Sequence, residues 1–129
     1  MGFQKINILQ ERKIYSRRVW IDGKLQPATV SFSGQSIAAI QYEKAMGAQD
    51  FADAVIMPGV IDAHVHINEP GRTEWEGFET ATLAAAAGGS TTIIDMPLNA
   101  SPVTTTREAF IEKLEASKGK MNVNVGFYA

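Results

Sequence analysis

The chain has 129 residues, of which 45% are apolar and 20% charged, and its formal net charge is -2. That balance excludes a dedicated nucleic-acid binder, which carries a basic excess, and the composition is too apolar for a disordered chain. No apolar run is long enough for a helical membrane span, and the absence of cysteine removes disulfides, Cys-based zinc sites and Cys nucleophiles.

Residues 1–11 carry no clear period. The N-terminal run MGFQKINILQERKIYSRR lacks the apolar core and small-residue site of a secretory signal, and a cytoplasmic location is expected. Three short strands follow. Ile14 to Ile21 ends at Asp22-Gly23, a tight-turn dipeptide. Leu25 to Phe32 is followed by a turn at Ser33-Gly34, and Ser36 to Ile40 is the third strand. Together they predict a small antiparallel sheet, with residues 43–53 as a polar loop. Trp20 and Trp75 are expected to be packing residues.

The character changes at residue 54. Val60 to Ile67 is a nearly continuous apolar run, as in parallel strands buried on both faces. Thr73 and Glu76 have capping-box spacing, which predicts a helix running to about Ala87 and stopped at Gly88-Gly89. Thr91 to Met96 is a β-branched strand, and residues 97–104 a loop. Thr105 and Glu108 repeat the capping-box spacing. They predict a helix with Phe110, Ile111 and Leu114 on one face and Gly119 as its stop. Val123, Val125 and Phe127 alternate as a third strand.

The order is β-α-β-α-β, with strands beginning about 31 residues apart, which predicts a parallel sheet with right-handed crossovers. Eight such units would total about 250 residues, the size of a (β/α)8 barrel. The expected fold class is therefore α/β, with residues 54–129 as the first three strands of an incomplete TIM barrel. Residues 1–53 are expected to be the N-terminal part of a small β-domain.

His64 and His66 are the only histidines. At i and i+2 on a strand, both side chains leave the same face and can converge on one metal ion. They lie at the C-terminal end of the first parallel strand, where barrel enzymes place their sites. Asp62 has the same parity and could orient a ligand histidine. The bland alternative is two histidines capping a strand with polar partners. Glu69, Glu74, Glu76 and Glu79 gather near the predicted helix start, where carboxylates favour the dipole. Arg72 is expected to pair with one of them. Asp95 ends the second strand and faces either the site or a neighbouring strand. Asn99 could simply stabilise a turn.

Met57-Pro58-Gly59-Val60-Ile61-Asp62-Ala63-His64-Val65-His66 resembles the signature that opens the barrel of the amidohydrolase superfamily. Asn68-Glu69-Pro70-Gly71-Arg72-Thr73-Glu74-Trp75-Glu76-Gly77-Phe78 is similar to the cyclic-amide branch of dihydroorotases, hydantoinases and allantoinases, and most to the allantoinases. Asp95 to Pro102 agrees with their second-strand loop. Dihydroorotases typically place Arg two residues after the second histidine, where a planar guanidinium pairs with a carboxylate. Here that residue is Asn68, an amide that both donates and accepts, which suits a neutral ring.

The resemblance implies a zinc-dependent hydrolase that opens allantoin to allantoate. It implies His64 and His66 as metal ligands, Asn68 and Asn99 as substrate contacts, and Asp62 and Asp95 as residues that support them. In such enzymes a bridging Lys, two later His and a late Asp complete a two-metal site, and a homotetramer is expected. None of those residues has a counterpart among the 129, so the chain alone is expected to be inactive and to bind metal weakly or not at all. The expected partner is a small cyclic amide, with neither nucleic acid nor membrane. Two other readings stand beside this one. One is a non-catalytic α/β remnant that self-associates through open strand edges; the other is a small metal- or ligand-binding module.

Overall fold

The computed structural model describes residues 12–128, so the reading of residues 1–11 lies outside the described residues. It is a mixed α/β chain that divides into two compact units, 1–58 and 59–129. Among the described residues no helix is long and apolar enough to cross a membrane.

The first unit is a five-stranded sheet of β1 (Arg12–Ile21), β2 (Lys24–Ser33), β3 (Ser36–Gln41), β4 (Gln49–Asp50) and β5 (Val55–Ile56). β1, β2 and β3 form the expected antiparallel meander. Asp22 and Gly23 turn the first hairpin with φ of 50° and 78°, the positive pair of a tight hairpin turn. The second turn falls one residue later than expected, because Ser33 pairs with Ser36 across it. The region expected as a polar loop contains β4, which pairs parallel to β1. β5 also pairs parallel to β1, so this sheet takes in Val55 and Ile56. Val19, Ala28 and Val30 form its core, with Ile14, Ile21, Phe32 and Ile56 packed around them. Trp20 is half exposed instead of packed, since it points away from the buried Val19 beside it.

The second unit is a three-stranded parallel sheet in the order β6 (Val60–Val65), β7 (Ser90–Asp95), β8 (Asn124–Phe127). Helices α1 (Phe78–Ala87) and α2 (Arg107–Ser117) make the two crossovers. Ile67, Phe78 and Ile93 form the core, joined by Ala81, Ala85, Val123, Val125 and Phe127. Gly59 is needed where β6 enters the sheet: a Cβ there would meet Thr91 Cγ2 at 2.0 Å. β6 is exposed along most of its length instead of buried on both faces. It pairs with β7 on one edge, and Ile61 is 65% exposed.

Both helix starts differ from the predicted boxes. α1 begins at Phe78, and the Phe78 N–H donates to Glu69 Oε2 at 3.0 Å while the Gly77 N–H donates to the Thr80 hydroxyl at 3.2 Å. Thr73 and Glu76 lie instead in the preceding loop, where the Glu76 carbonyl accepts from the Asn68 N–H. α2 is capped by Thr106, whose hydroxyl accepts from the Ala109 N–H at 3.2 Å. Its buried residues are Ala109, Lys113 and Ser117, whereas Ile111 is exposed.

Candidate metal centre

Every site residue expected from the sequence lies in the second unit, on β6, on β7 or on the loops that leave their C-terminal ends. β6 runs three residues from Asp62 to Val65 while its partner runs two, from Ile93 to Asp95. The extra residue is a bulge, which re-aims side chains at the strand end. His64 lies within it and His66 just past it, and their rings stand edge to face with centroids 5.1 Å apart. His64 is exposed and His66 half-buried. Buried His66 Nδ1 has no hydrogen-bond partner. Two neighbouring imidazoles, one with an unpartnered buried nitrogen, fit a metal ion as part of its ligand set. Among the described residues no group of three or more His, Cys, Asp or Glu is placed to hold a metal.

Asp62 does not touch either imidazole by a hydrogen bond. Its Oδ1 accepts from the His64 backbone N–H at 3.1 Å, so it shapes the bulge beneath the ligand. Asp62, His66 and Glu76 share a cavity of about 210 Å³ with Ala81, Ala85 and Ile93.

Asp95 is buried and does not open to solvent. Its Oδ1 accepts from the Ile67 N–H at 2.8 Å, and its Oδ2 lies 2.5 Å from Lys113 Nζ. Lys113 Nζ also donates to the Ile67 carbonyl at 3.1 Å and lies over the Phe78 ring. Burial raises the Asp95 pKa above the ordinary carboxylate value, against the opposing pull of Lys113, the Ile67 N–H and His66. Lys113 was not singled out by the sequence. The available signal was the stripe Ala109, Lys113, Ser117, at i, i+4 and i+8, which puts a lysine between two small residues on the helix face that packs.

The two loops are joined to each other. The Ser101 N–H donates to the Pro70 carbonyl at 2.9 Å, and Arg72 Nη1 donates to the Asn99 carbonyl at 3.3 Å. Arg72 therefore reaches the second loop, not one of the nearby glutamates, and its guanidinium stacks on Trp75, which is 65% exposed. Asn68 is buried: its carbonyl accepts from the Arg72 N–H, while its side-chain Oδ1 has no partner. Asn99 is exposed, with φ of 74°. Glu69 is buried, pairs with Lys120 and caps α1.

Residues 55–129 match the amidohydrolase family. The chain belongs to that family. This amidohydrolase chain is 50% identical to a "Probable allantoinase" of Oryza sativa subsp. japonica, over 89% of the chain and 24% of that protein. It is 66% identical to "Probable allantoinase 2" of Dictyostelium discoideum over 57% of the chain and 14% of that protein. It is 45% identical to an allantoinase of Saccharomyces cerevisiae, over 89% of the chain and 28% of that protein. The chain thus spans about a quarter or less of the length of these curated relatives. Among solved structures, an L-hydantoinase from Arthrobacter aurescens is 29% identical with a TM-score of 0.69, covering 90% of the chain and 27% of its own. A dihydropyrimidinase from Brevibacillus agri is 26% identical with a TM-score of 0.70, covering 92% and 27%.

Proposed function

We propose that the whole protein is a zinc-dependent allantoinase, and that residues 59–129 are the first βαβαβ segment of its barrel. The observation that carries this reading is the buried Asn68, two residues past His66, with its amide oxygen free. An uncharged acceptor there suits the ring N–H groups of allantoin, whereas a carboxylate substrate calls for a guanidinium. Identities of 45–66% to allantoinases point the same way.

His64 and His66 would hold one of two divalent ions, and a bound zinc supplies a nucleophile from water at neutral pH by lowering its pKa. Asn68 and Asn99 would orient the ring from the two loops. Asp62 would set the bulge that aims His64, and Asp95 would hold the main chain beside His66. In the net reaction water adds to a ring amide carbon, the C–N bond breaks, the nitrogen takes a proton and the new carboxylate is that of allantoate. Residues 12–58 would be part of the small β-domain.

The test is an assay of the full-length, zinc-loaded protein on allantoin, dihydroorotate and hydantoin. Allantoin is expected to be opened fastest, and His64→Ala to abolish turnover. The likeness to hydantoinase structures favours hydantoin as the second reading, and faster opening of hydantoin than of allantoin would replace the first.

A further inference from the structure

Ile67 lies between the proposed ligand His66 and the proposed substrate contact Asn68. Both of its backbone polar groups are held by one ion pair: Asp95 accepts from its N–H at 2.8 Å, and Lys113 donates to its carbonyl at 3.1 Å. The two charged groups lie 2.5 Å apart with each side chain 1% exposed. On the other side of His66, the Val65 carbonyl accepts from the Met96 N–H at 2.8 Å. The main chain is thus fixed immediately before and immediately after His66. The fixing groups come from β7, the residue after it, and α2.

We propose that Lys113 is a positioning residue for the metal centre. Its ammonium, locked by Asp95, fixes the Ile67 peptide and so sets the directions of the His66 imidazole and the Asn68 amide. This rests on reading His64 and His66 as metal ligands. A pair serving only to join helix to sheet would need no bond to the peptide between these two residues. Here each partner spends one bond on it. Groups that hold a ligand from behind change metal affinity by about 10–100-fold when removed.

A single Lys113→Met would strand a buried carboxylate and could unfold the protein, so the deciding variant is the double Asp95→Leu, Lys113→Met. It removes both charges while keeping apolar bulk, a replacement that buried ion pairs often tolerate. In the full-length protein this variant is expected to fold with wild-type circular dichroism, at a lowered thermal midpoint because the buried Ile67 N–H and carbonyl lose their partners. Its zinc affinity, measured against a competing chromophoric chelator with no substrate present, is expected to fall about 10–100-fold. A folded double variant that holds zinc like the wild type overturns the proposal. One that fails to fold also overturns it, by making the pair a structural requirement. Wild-type protein that binds zinc but leaves allantoin intact sinks the substrate reading alone, and the zinc comparison still decides this one.

Discussion

The Lys113 ammonium and the Asp95 carboxylate meet 2.5 Å apart inside the second unit, on residues from α2 and β7. Neither charge reaches water, so each depends on the other. Lys113→Met alone should therefore cost about 3–5 kcal/mol, the penalty of an uncompensated buried charge. Urea unfolding of the full-length protein checks this, with Asp95→Asn, Lys113→Met as the neutral control. A single variant as stable as the control would show that Asp95 finds another partner or protonates without cost.

Gly71 has φ of 86°, and a Cβ there would meet the Ser101 carbonyl oxygen at 2.3 Å. Gly71→Ala should force the two loops apart and destabilise by about 1 kcal/mol or more. The same displacement should lower kcat/KM on allantoin, because Asn68 and Asn99 sit on those loops. Thermal unfolding and steady-state kinetics on one preparation would check both effects.

Asn68→Ala removes one proposed substrate hydrogen bond. The expected loss in kcat/KM is about tenfold, near the value of a single such bond. Unchanged kinetics on allantoin would remove Asn68 from the substrate site.

Much of the second unit was legible in the sequence, because apolar periodicity and turn residues report local structure directly. The β-α-β-α-β order and the alternating Val123, Val125 and Phe127 follow from spacing. The His64 and His66 rings lie 5.1 Å apart, as their i and i+2 spacing suggests, although β6 ends at Val65 and His66 lies past it. Their bulge was not legible, because it depends on the partner strand's register. Lys113 was hidden for another reason: lysine is almost never fully buried unless paired, and its partner lies 18 residues away on a different element. Glu69 was legible as a carboxylate near the start of α1, but its bond to the Phe78 N–H nine residues on lies outside any capping-box pattern. β4 and β5, two residues each, are too short for a periodic signal.

In the first unit, Ser16 is fully buried at the irregularity in β1. Its hydroxyl donates to the Ala54 carbonyl at 2.6 Å and accepts from the Arg18 N–H at 2.9 Å. Ser16→Ala leaves both groups short of a partner and should cost about 1–3 kcal/mol by chemical denaturation.

Asp53 receives both Nε and Nη2 of Arg17, which holds its pKa below the ordinary 3.8. A lowered folded-state pKa adds stability that is present above the ordinary value and is lost as pH falls through the lowered one. Thermal midpoints should therefore decline on acidification below about pH 5, and Asp53→Asn should make that decline shallower. The pair is exposed, so the difference should be small and should shrink further in high salt.

Beside its local bonds, the loop after β6 has fasteners that are distant in the chain. Ile67 is held from Asp95 and Lys113, and Glu69 from Lys120. During synthesis His66 emerges from the ribosome long before any of them. Until residue 120 is free to fold back, the segment lacks the bonds from Lys113 and Lys120. A nascent chain arrested short of that point would therefore carry His64 and His66 without the α2 bond to the Ile67 carbonyl, a closure of 46 residues.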